Sequence, residues 1–384
     1  MKIETILAHA GLCTDEITGA ISTPIYQTAT FRHPAVGVST GYDYSRTINP
    51  TREALEKTMA ELEKGRRGFA FASGMAAITA VLMLFSSGDH LIVSDDLYGG
   101  TYRLFDKIFK QLGIQVTYVD TSNAALIREA IIPERTRGLF IETPTNPLMK
   151  ITDLGELTGL AASKRLLTIV DNTFMTPCLQ RPLEFGVDMV VHSGTKYLGG
   201  HNDVLAGVVV TRSLELSDKI GFIQNSTGGV LGPLDSWLVL RGLKTLALRI
   251  EKQQQNAEKI AEWLTQNRIV KQVYYPGLSD HPGHCIHKRQ STGFGAMLSF
   301  RVPDAAWAEK IINRIKLITF AESLGGVETL ITYPVKQTHG DIPVEIREKI
   351  GVTDDLLRLS IGVEHVEDLI EDLEQAMAAK EQRP

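Results

Sequence analysis

The sequence predicts an α/β fold, with a mostly parallel central sheet flanked by helices and a smaller C-terminal α/β unit. Three observations carry this. Short, nearly continuous apolar segments such as GFAFA (68–72), HLIVSDD (90–96) and GLFIET (138–143) read as strands buried on both faces. Segments of helical period separate them, the alternation that produces a parallel sheet. Near Gly232 the pattern changes to a long helical segment and a second group of mixed elements. The chain therefore divides into an arm (1–50), a large unit (51–233) and a C-terminal unit (234–384).

Residues 1–50 read as an extended arm. Prolines, glycines and polar residues are scattered through it, and no period is sustained, so it needs a neighbour to lie on. Asn49-Pro50 opens a helix through TREALEKTMAELEKG, with Leu55, Met59 and Leu62 at i, i+4 and i+7 and Gly65 as the stop. Strand 68–72 leads to the apolar helix 73–85. Strand 90–96 leads to helix 102–113, ended by Gly113. QVTYVD (115–120), GLFIET (138–143) and LLTIVD (166–171) are strands with SNAALIREAI and LGELTGLAASKR as helices between them. VDMVVH (187–192) and AGVVVT (206–211) complete the strands of the large unit. A helical segment then runs from Leu234 to Gln266, with Ala257, Ile260, Ala261 and Leu264 on one face. An irregular loop, YYPGLSDHPGHCIHKRQSTGFG, precedes the strand GAMLSFRV and a helix bearing Trp307, Ile311, Ile312 and Ile315. The strand LLRLSIG (356–362) and a helix using Val366, Leu369, Ile370, Leu373 and Met377 close the chain.

Bulk properties exclude several classes. Hydrophobic residues are 43% and charged residues 22% of 384, the composition of an ordinary globular protein. A net charge of −5 leaves no basic footprint for nucleic acid or an anionic membrane. The N-terminus lacks the apolar core of a signal peptide, and the longest apolar run, Ala80 to Phe85, is too short to span a bilayer. Cys13, Cys178 and Cys285 are odd in number and far apart, which argues against a disulfide framework and for a cytoplasmic protein.

The chemistry gathers at the carboxyl ends of the strands, where open α/β sheets bind ligands. DMVVHSGTKYLGG delivers Lys196 from a buried strand into a polar loop. A lysine that loses solvation there becomes a nucleophilic amine, the alternative being a solvated surface turn. Ser193 and Thr195 offer hydroxyls for a phosphate. Ser73-Gly74-Met75 opens a helix, which is either an anion site or only a cap. Tyr98 stands beside a Gly-Gly turn, and Asn146 lies between two prolines. Asp171 ends a buried strand, where a carboxylate is costly unless paired, with a structural partner or with a protonated ring nitrogen. An aspartate on a pyridinium and a lysine Schiff base are the two groups that pyridoxal phosphate chemistry requires. His281, His284, Cys285 and His287 crowd one loop, but it reads as a surface turn and no metal site is expected. His192 and His201 read as structural, and Cys178 as a packed thiol.

The segments YDYSRTINPTR, FASGMAA, DLYGGTYRLFD, ETPTNPL, VDNTF, HSGTKYLGGH, LRGLKTL and ESLGGVETL, in this order, resemble the Cys/Met-metabolism family of pyridoxal-phosphate enzymes of fold type I, along essentially the whole chain. That family includes cystathionine γ-synthases, cystathionine γ- and β-lyases, homocysteine synthases and methionine γ-lyases. The resemblance implies pyridoxal 5'-phosphate as cofactor, bound through Lys196, which also shuttles protons. It implies Asp171 at the ring nitrogen, Ser73, Gly74, Met75, Ser193 and Thr195 at the phosphate, and Asn146 at the ring hydroxyl. Tyr98 is expected to stack on the ring and act catalytically with Lys196. Tyr44 and Arg46 match the pair that reaches a neighbouring subunit's phosphate, which implies a homo-oligomer with shared sites, a tetramer built as a dimer of dimers. Arg358 is expected to clamp the substrate α-carboxylate. Ser323, Glu322, Arg103 and Asp43 are the other expected substrate contacts.

By the same resemblance, AESLGG is similar to the γ-synthases and γ-lyases, and YGGTYRLFD with TYPVKQTHGDIP is similar to enzymes acting on an O-acylhomoserine, so γ-replacement is expected. O-acetyl- or O-succinylhomoserine would lose its acyl group to cysteine or sulfide, giving cystathionine or homocysteine in methionine biosynthesis. Cystathionine γ- or β-lyase is the alternative, since elimination uses the same lysine. Gly100 replaces the cysteine typical of methionine γ-lyases and disfavours that activity. A non-catalytic cofactor-binding regulator would be expected to lack Lys196 or Asp171, and both are present.

Overall fold

The structure, a computed structural model, describes residues 1–12, 15 and 17–378; Cys13 and the residues after 378 lie outside them. Seven strands form the first sheet: β1 (Arg67–Phe71), β2 (His90–Ser94), β3 (Gln115–Val119), β4 (Thr136–Glu142), β5 (Leu167–Asp171), β6 (Met189–Ser193) and β7 (Gly207–Thr211). Their order is β1-β7-β6-β5-β4-β2-β3. From β6 to β3 all pairs are parallel, as the strand–helix alternation predicts. β7 is antiparallel to both β6 and β1. The reason lies in the connection: residues 194–206 contain no crossover helix, so the chain returns antiparallel.

Alternate residues of these strands fall into two separate apolar clusters, one per face. Ile92, Ile141, Val170, Val190 and Val208 belong to one, with Leu55, Met59 and Leu62 of the helix Pro50–Leu62. Leu91, Val93, Phe140, Ile169, Val191 and Val209 belong to the other, with Ile78 and Val81 of the helix Gly74–Leu82. Each of these buried aliphatic side chains contributes about 1.5–3 kcal/mol, so the sheet is fixed from both sides.

The second sheet comprises β8 (Gln272–Tyr274), β9 (Met297–Arg301), β10 (Thr319–Phe320), β11 (Leu330–Thr332) and β12 (Leu356–Ser360), in the order β10-β11-β12-β9-β8. It is antiparallel except for β10–β11. The helix Val366–Met377 buries Val366, Leu369, Leu373 and Met377, the face its periodicity predicts.

The helix expected over 102–113 is α-helical over Gly99–Leu104 and π-helical over Phe105–Phe109. Further stretches also depart from the sequence reading. Leu234–Gln266 is two helices, Pro233–Leu243 and Leu246–Gln266. Arg249 fills the break, donating from Nη2 to the Gly242 carbonyl (2.8 Å) and from Nη1 to the Tyr197 carbonyl (2.9 Å). The loop before β9 contains a helix, His284–Gln290, whose buried residues are His287 and Gln290. Gln290 bonds the Leu154 N–H and the Thr152 carbonyl, both at 3.0 Å, so polar partners rather than an apolar face hold it. The arm begins with a helix, Ile3–Ala8, and its described residues form no further helix or strand up to Asn49, with Ile17, Ile21, Val36 and Val38 exposed. No helix among the described residues is long and apolar enough to cross a membrane.

Candidate active site

Because β1, β2, β4, β5 and β6 share a direction, their carboxyl ends meet at one edge of the sheet. A cavity of about 350 Å³ opens there. Its floor is set by register: Asp171 pairs with Glu142 on one side and Val191 on the other, and Ser193 and Phe71 both face Gly207. Of the expected residues, Ser73, Gly74, Met75, Tyr98, Asn146, Asp171, Ser193, Thr195, Lys196, Glu322, Ser323 and Arg358 line it.

Lys196 follows β6 in the loop that returns as β7. The Thr195 hydroxyl holds this loop by accepting from the Ala206 N–H (3.0 Å). The Lys196 ammonium donates to the Ser323 hydroxyl at 2.9 Å. Burial lowers its pKa to about 8; the Arg358 guanidinium adds to the effect and Glu322 opposes it. Ser323 has φ of +105°, a costly backbone for a residue with a side chain and a form of strain that clusters at functional sites.

Asp171 accepts the Thr173 N–H (3.0 Å) and hydroxyl (2.5 Å), both at Oδ1; Oδ2 accepts from none of the described residues. Burial pushes its carboxyl up, against the Thr173 bonds. Glu142 accepts the Tyr98 N–H at 3.0 Å and is raised well above the carboxylate range, by burial first and by Asp171 next. The Tyr98 ring lies over Gly100, where a Cβ would meet Cε1 at 2.4 Å. A side chain at 100 would push that ring from its place.

Ser73 caps the helix Gly74–Leu82, its hydroxyl accepting from the Ala76 N–H (3.1 Å). The N–H groups of Gly74 and Met75 begin the helix, where no preceding turn supplies acceptors, and the Ser193 side chain stands beside Gly74. Arg358 is 1% exposed. It donates to Asn146 Oδ1 (2.8 Å), the Ser323 carbonyl (3.0 Å) and the Thr332 hydroxyl (3.0 Å). Its Nε has no partner, and no carboxylate among the described residues forms an ion pair with it. A buried cation so placed favours an anionic occupant of the cavity. Since Asn146 Oδ1 is engaged by Arg358, its amide N–H groups remain as donors toward an oxygen in the cavity.

Four expected residues lie outside this cavity. Tyr44 and Arg46 are exposed and stacked on one another, guanidinium to ring centroid 5.5 Å, with Arg46 donating to the Asn225 carbonyl (3.3 Å). Asp43 accepts the Ser39 hydroxyl and lies 3.4 Å from His33. Arg103 forms an exposed ion pair with Asp341. Sequence reasoning missed Glu142, Thr173 and Thr338, which also line the cavity. Glu142 and Thr173 sat inside quoted motifs, ETPTNP and VDNTF, but as neighbours of the residues that drew attention.

The histidines expected to be structural are bound within the fold. His192 is buried against Glu63 (2.6 Å), and His201 bonds the Gly199 carbonyl (2.7 Å). In the 281–287 cluster, His284 and His287 bond the Pro276 and Gly293 carbonyls and His281 accepts the Gly283 N–H. Burial pushes the Cys178 thiol up to about 12, which makes it a poor nucleophile.

The cavity thus offers free helix-start N–H groups and a hydroxyl for a phosphate, a buried acid for a ring cation, an amide donor and a lysine for a carbonyl. These fit pyridoxal phosphate. Residues 4–378 match the family described as Cys/Met metabolism PLP-dependent enzyme. The chain is 54% identical over 377 residues to a cystathionine gamma-lyase of Bacillus subtilis, covering 98% of this chain and 99% of that one. It is 53% identical to a cystathionine beta-lyase of Lactococcus lactis (99% and 100% covered) and 52% to a cystathionine gamma-synthase of Haemophilus influenzae (98% and 98%). The crystal structure of cystathionine gamma-lyase from Lactobacillus plantarum complexed with L-serine superimposes with a TM-score of 0.95 at 49% identity, over 98% of each chain. The chain therefore belongs to the Cys/Met-metabolism family of enzymes, a trans-sulfuration enzyme of fold type I whose cofactor is pyridoxal 5'-phosphate.

Proposed function

We propose that this enzyme is a C–S lyase that cleaves L-cystathionine on its γ side, with water, to L-cysteine, 2-oxobutyrate and ammonia. The observation that carries the reading is the unpaired buried Arg358 in the same cavity as the exposed carboxylate Glu322. That pair suits a substrate with an α-carboxylate at one end and a second ammonium at the other. Lyases also stand among the relatives of greatest identity here. Replacement needs a second substrate, and Arg103, one of the expected substrate contacts, is tied to Asp341 outside the cavity.

Bound pyridoxal phosphate supplies the electron sink that makes the substrate Cα proton and then the γ C–S bond labile. The residues of the chain do the rest. The Gly74 and Met75 N–H groups and the Ser193 and Thr195 side chains would hold its phosphate, Asp171 would keep its ring nitrogen protonated, and Tyr98 would stack on its ring. Arg358 binds the α-carboxylate and so turns the Cα–H toward Lys196. Lys196 Nζ, whose pKa of about 8 leaves a far larger neutral fraction near pH 7 than a solvated lysine has, takes that proton and delivers it elsewhere on the substrate. Ser323 steers the amine by accepting its hydrogen bond. Glu322 receives the distal ammonium of cystathionine.

γ-Replacement on an O-acylhomoserine with cysteine or sulfide is the second reading, favoured by the 52% identity to the gamma-synthase. The same proposal includes the division into an arm (1–50), a cofactor-binding domain (51–233) and a C-terminal domain (234–384), in a cytoplasmic protein. It also includes a homo-oligomer, a tetramer as a dimer of dimers, in which Tyr44 and Arg46 reach a neighbouring chain's phosphate. Both are exposed and outside the cavity of their own chain, which supports a role elsewhere.

Product analysis tests the reaction. Purified enzyme given L-cystathionine alone is expected to release 2-oxobutyrate and cysteine in equal amounts. Pyruvate with homocysteine would make it a β-lyase. Cystathionine formed from O-acetyl- or O-succinylhomoserine plus cysteine, with no cleavage of cystathionine, would establish the replacement reading instead.

A further inference from the structure

His339 lies in a strap, residues 333–343, that the second sheet sends across to the strand ends of the first. The strap touches the site at several points. The Thr338 carbonyl sits so close to Gly99, next to Tyr98, that a Cβ there would meet it at 2.0 Å. Thr338 lines the cavity, and Asp341 pairs with Arg103. Between these contacts His339 is wholly buried, at 0% exposure. Its Nε2 lies 3.1 Å from the Asn146 carbonyl oxygen and its Nδ1 lies 2.9 Å from the Thr338 hydroxyl. A carbonyl only accepts, so the proton sits on Nε2, and Nδ1 accepts from Thr338. Asn146 in turn holds Arg358 through its side-chain oxygen at 2.8 Å.

We propose that His339 is a positioning residue: its neutral imidazole fixes the Asn146 backbone, and through it the Asn146–Arg358 pair that receives the substrate carboxylate. The inference rests on the reading of Arg358 as the carboxylate clamp. Burial keeps the ring neutral, lowering its pKa to about 4 with Arg358 as the next cause, so no cation competes with the guanidinium nearby. His339 touches Asn146 and Thr338 but neither Lys196 nor Asp171, so its removal acts on the clamp side of the cavity.

The test compares His339→Leu, His339→Asn and His339→Gln as holoenzymes. The amide nitrogen of glutamine falls near the place of Nε2; that of asparagine falls near Nδ1. Leu and Asn variants are expected to raise KM for L-cystathionine about fivefold to tenfold, the worth of one hydrogen bond, with kcat within about threefold. His339→Gln is expected to restore KM to within about twofold, even where its thermal midpoint stays as low as that of the others. Binding of unreactive L-alanine, read from the cofactor absorbance, should weaken in parallel. An unchanged KM and L-alanine affinity in Leu and Asn variants that melt early would make His339 a plain core residue and overturn the proposal, as would a Gln variant no better than Leu. A wild-type enzyme that binds neither cystathionine nor L-alanine would instead overturn the substrate reading itself.

Discussion

At the scale of single residues, the site depends on how far burial moves ordinary groups from their solution behaviour. Lys196 is the clearest case. Its amine, lowered to about 8, is protonated below that pH and free above it. The rate at which the cofactor-free protein captures pyridoxal phosphate should therefore rise with pH, pass half its maximum near 8 and level off above it, followed by absorbance after rapid mixing. A rate still climbing above pH 10 would mean that the amine keeps its solution pKa. The sequence showed this lysine because a strand and a hydroxyl-rich loop frame it. It showed Asp171 because a carboxylate at a buried strand end is conspicuous. Glu142 escaped for a physical reason: next to a Thr-Pro turn a glutamate reads as exposed, and only the pairing of β4 with β5 puts it beside Asp171. His339 escaped likewise, since its partners are a backbone carbonyl far along the chain and its own neighbour.

At the scale of elements, the strand ends work as a platform because β7 enters it backwards. Gly207 begins β7 where Phe71 and Ser193 pair with it, and a Cβ there would lie 2.0 Å from the Ser73 carbonyl oxygen. Gly207→Ala must therefore displace the helix start proposed to hold the phosphate. It is expected to weaken cofactor affinity at least about tenfold, since small displacements at a site carry large costs. Gly159→Ala, on an exposed face with nothing within 4 Å, serves as control and should gain about 0.5–1 kcal/mol of stability at unchanged affinity. Equilibrium titration of the cofactor-free proteins reads both, and a Gly207→Ala affinity within twofold of wild type would mean that the platform yields. The strands of the first sheet were legible because each is apolar and bounded by turns. The reversal of β7 was not, because strand direction is set by the connection and leaves no mark in the strand's own residues. The helix His284–Gln290 was hidden for a different reason: it buries a histidine and a glutamine, so hydrophobic periodicity never signalled it.

At the scale of the whole molecule, the arm gives the account its most exposed claim. It carries Tyr44 and Arg46 in the open, while among the described residues no guanidinium lines its own chain's cavity at the expected phosphate end. With shared sites, one chain supplies Lys196 and another supplies Arg46 to a single site. Mixing experiments test this most directly. Lys196→Ala and Arg46→Ala proteins, each nearly inactive alone, are unfolded, mixed in equal amounts and refolded with pyridoxal phosphate. Random pairing in a two-fold dimer makes half the pairs hybrids, each with one intact site, so activity should return to about a quarter of wild type. Hybrids demonstrated by mass but without recovered activity would contradict shared sites, and a Lys196→Ala protein active on its own would contradict the assignment of the lysine on which everything else is built.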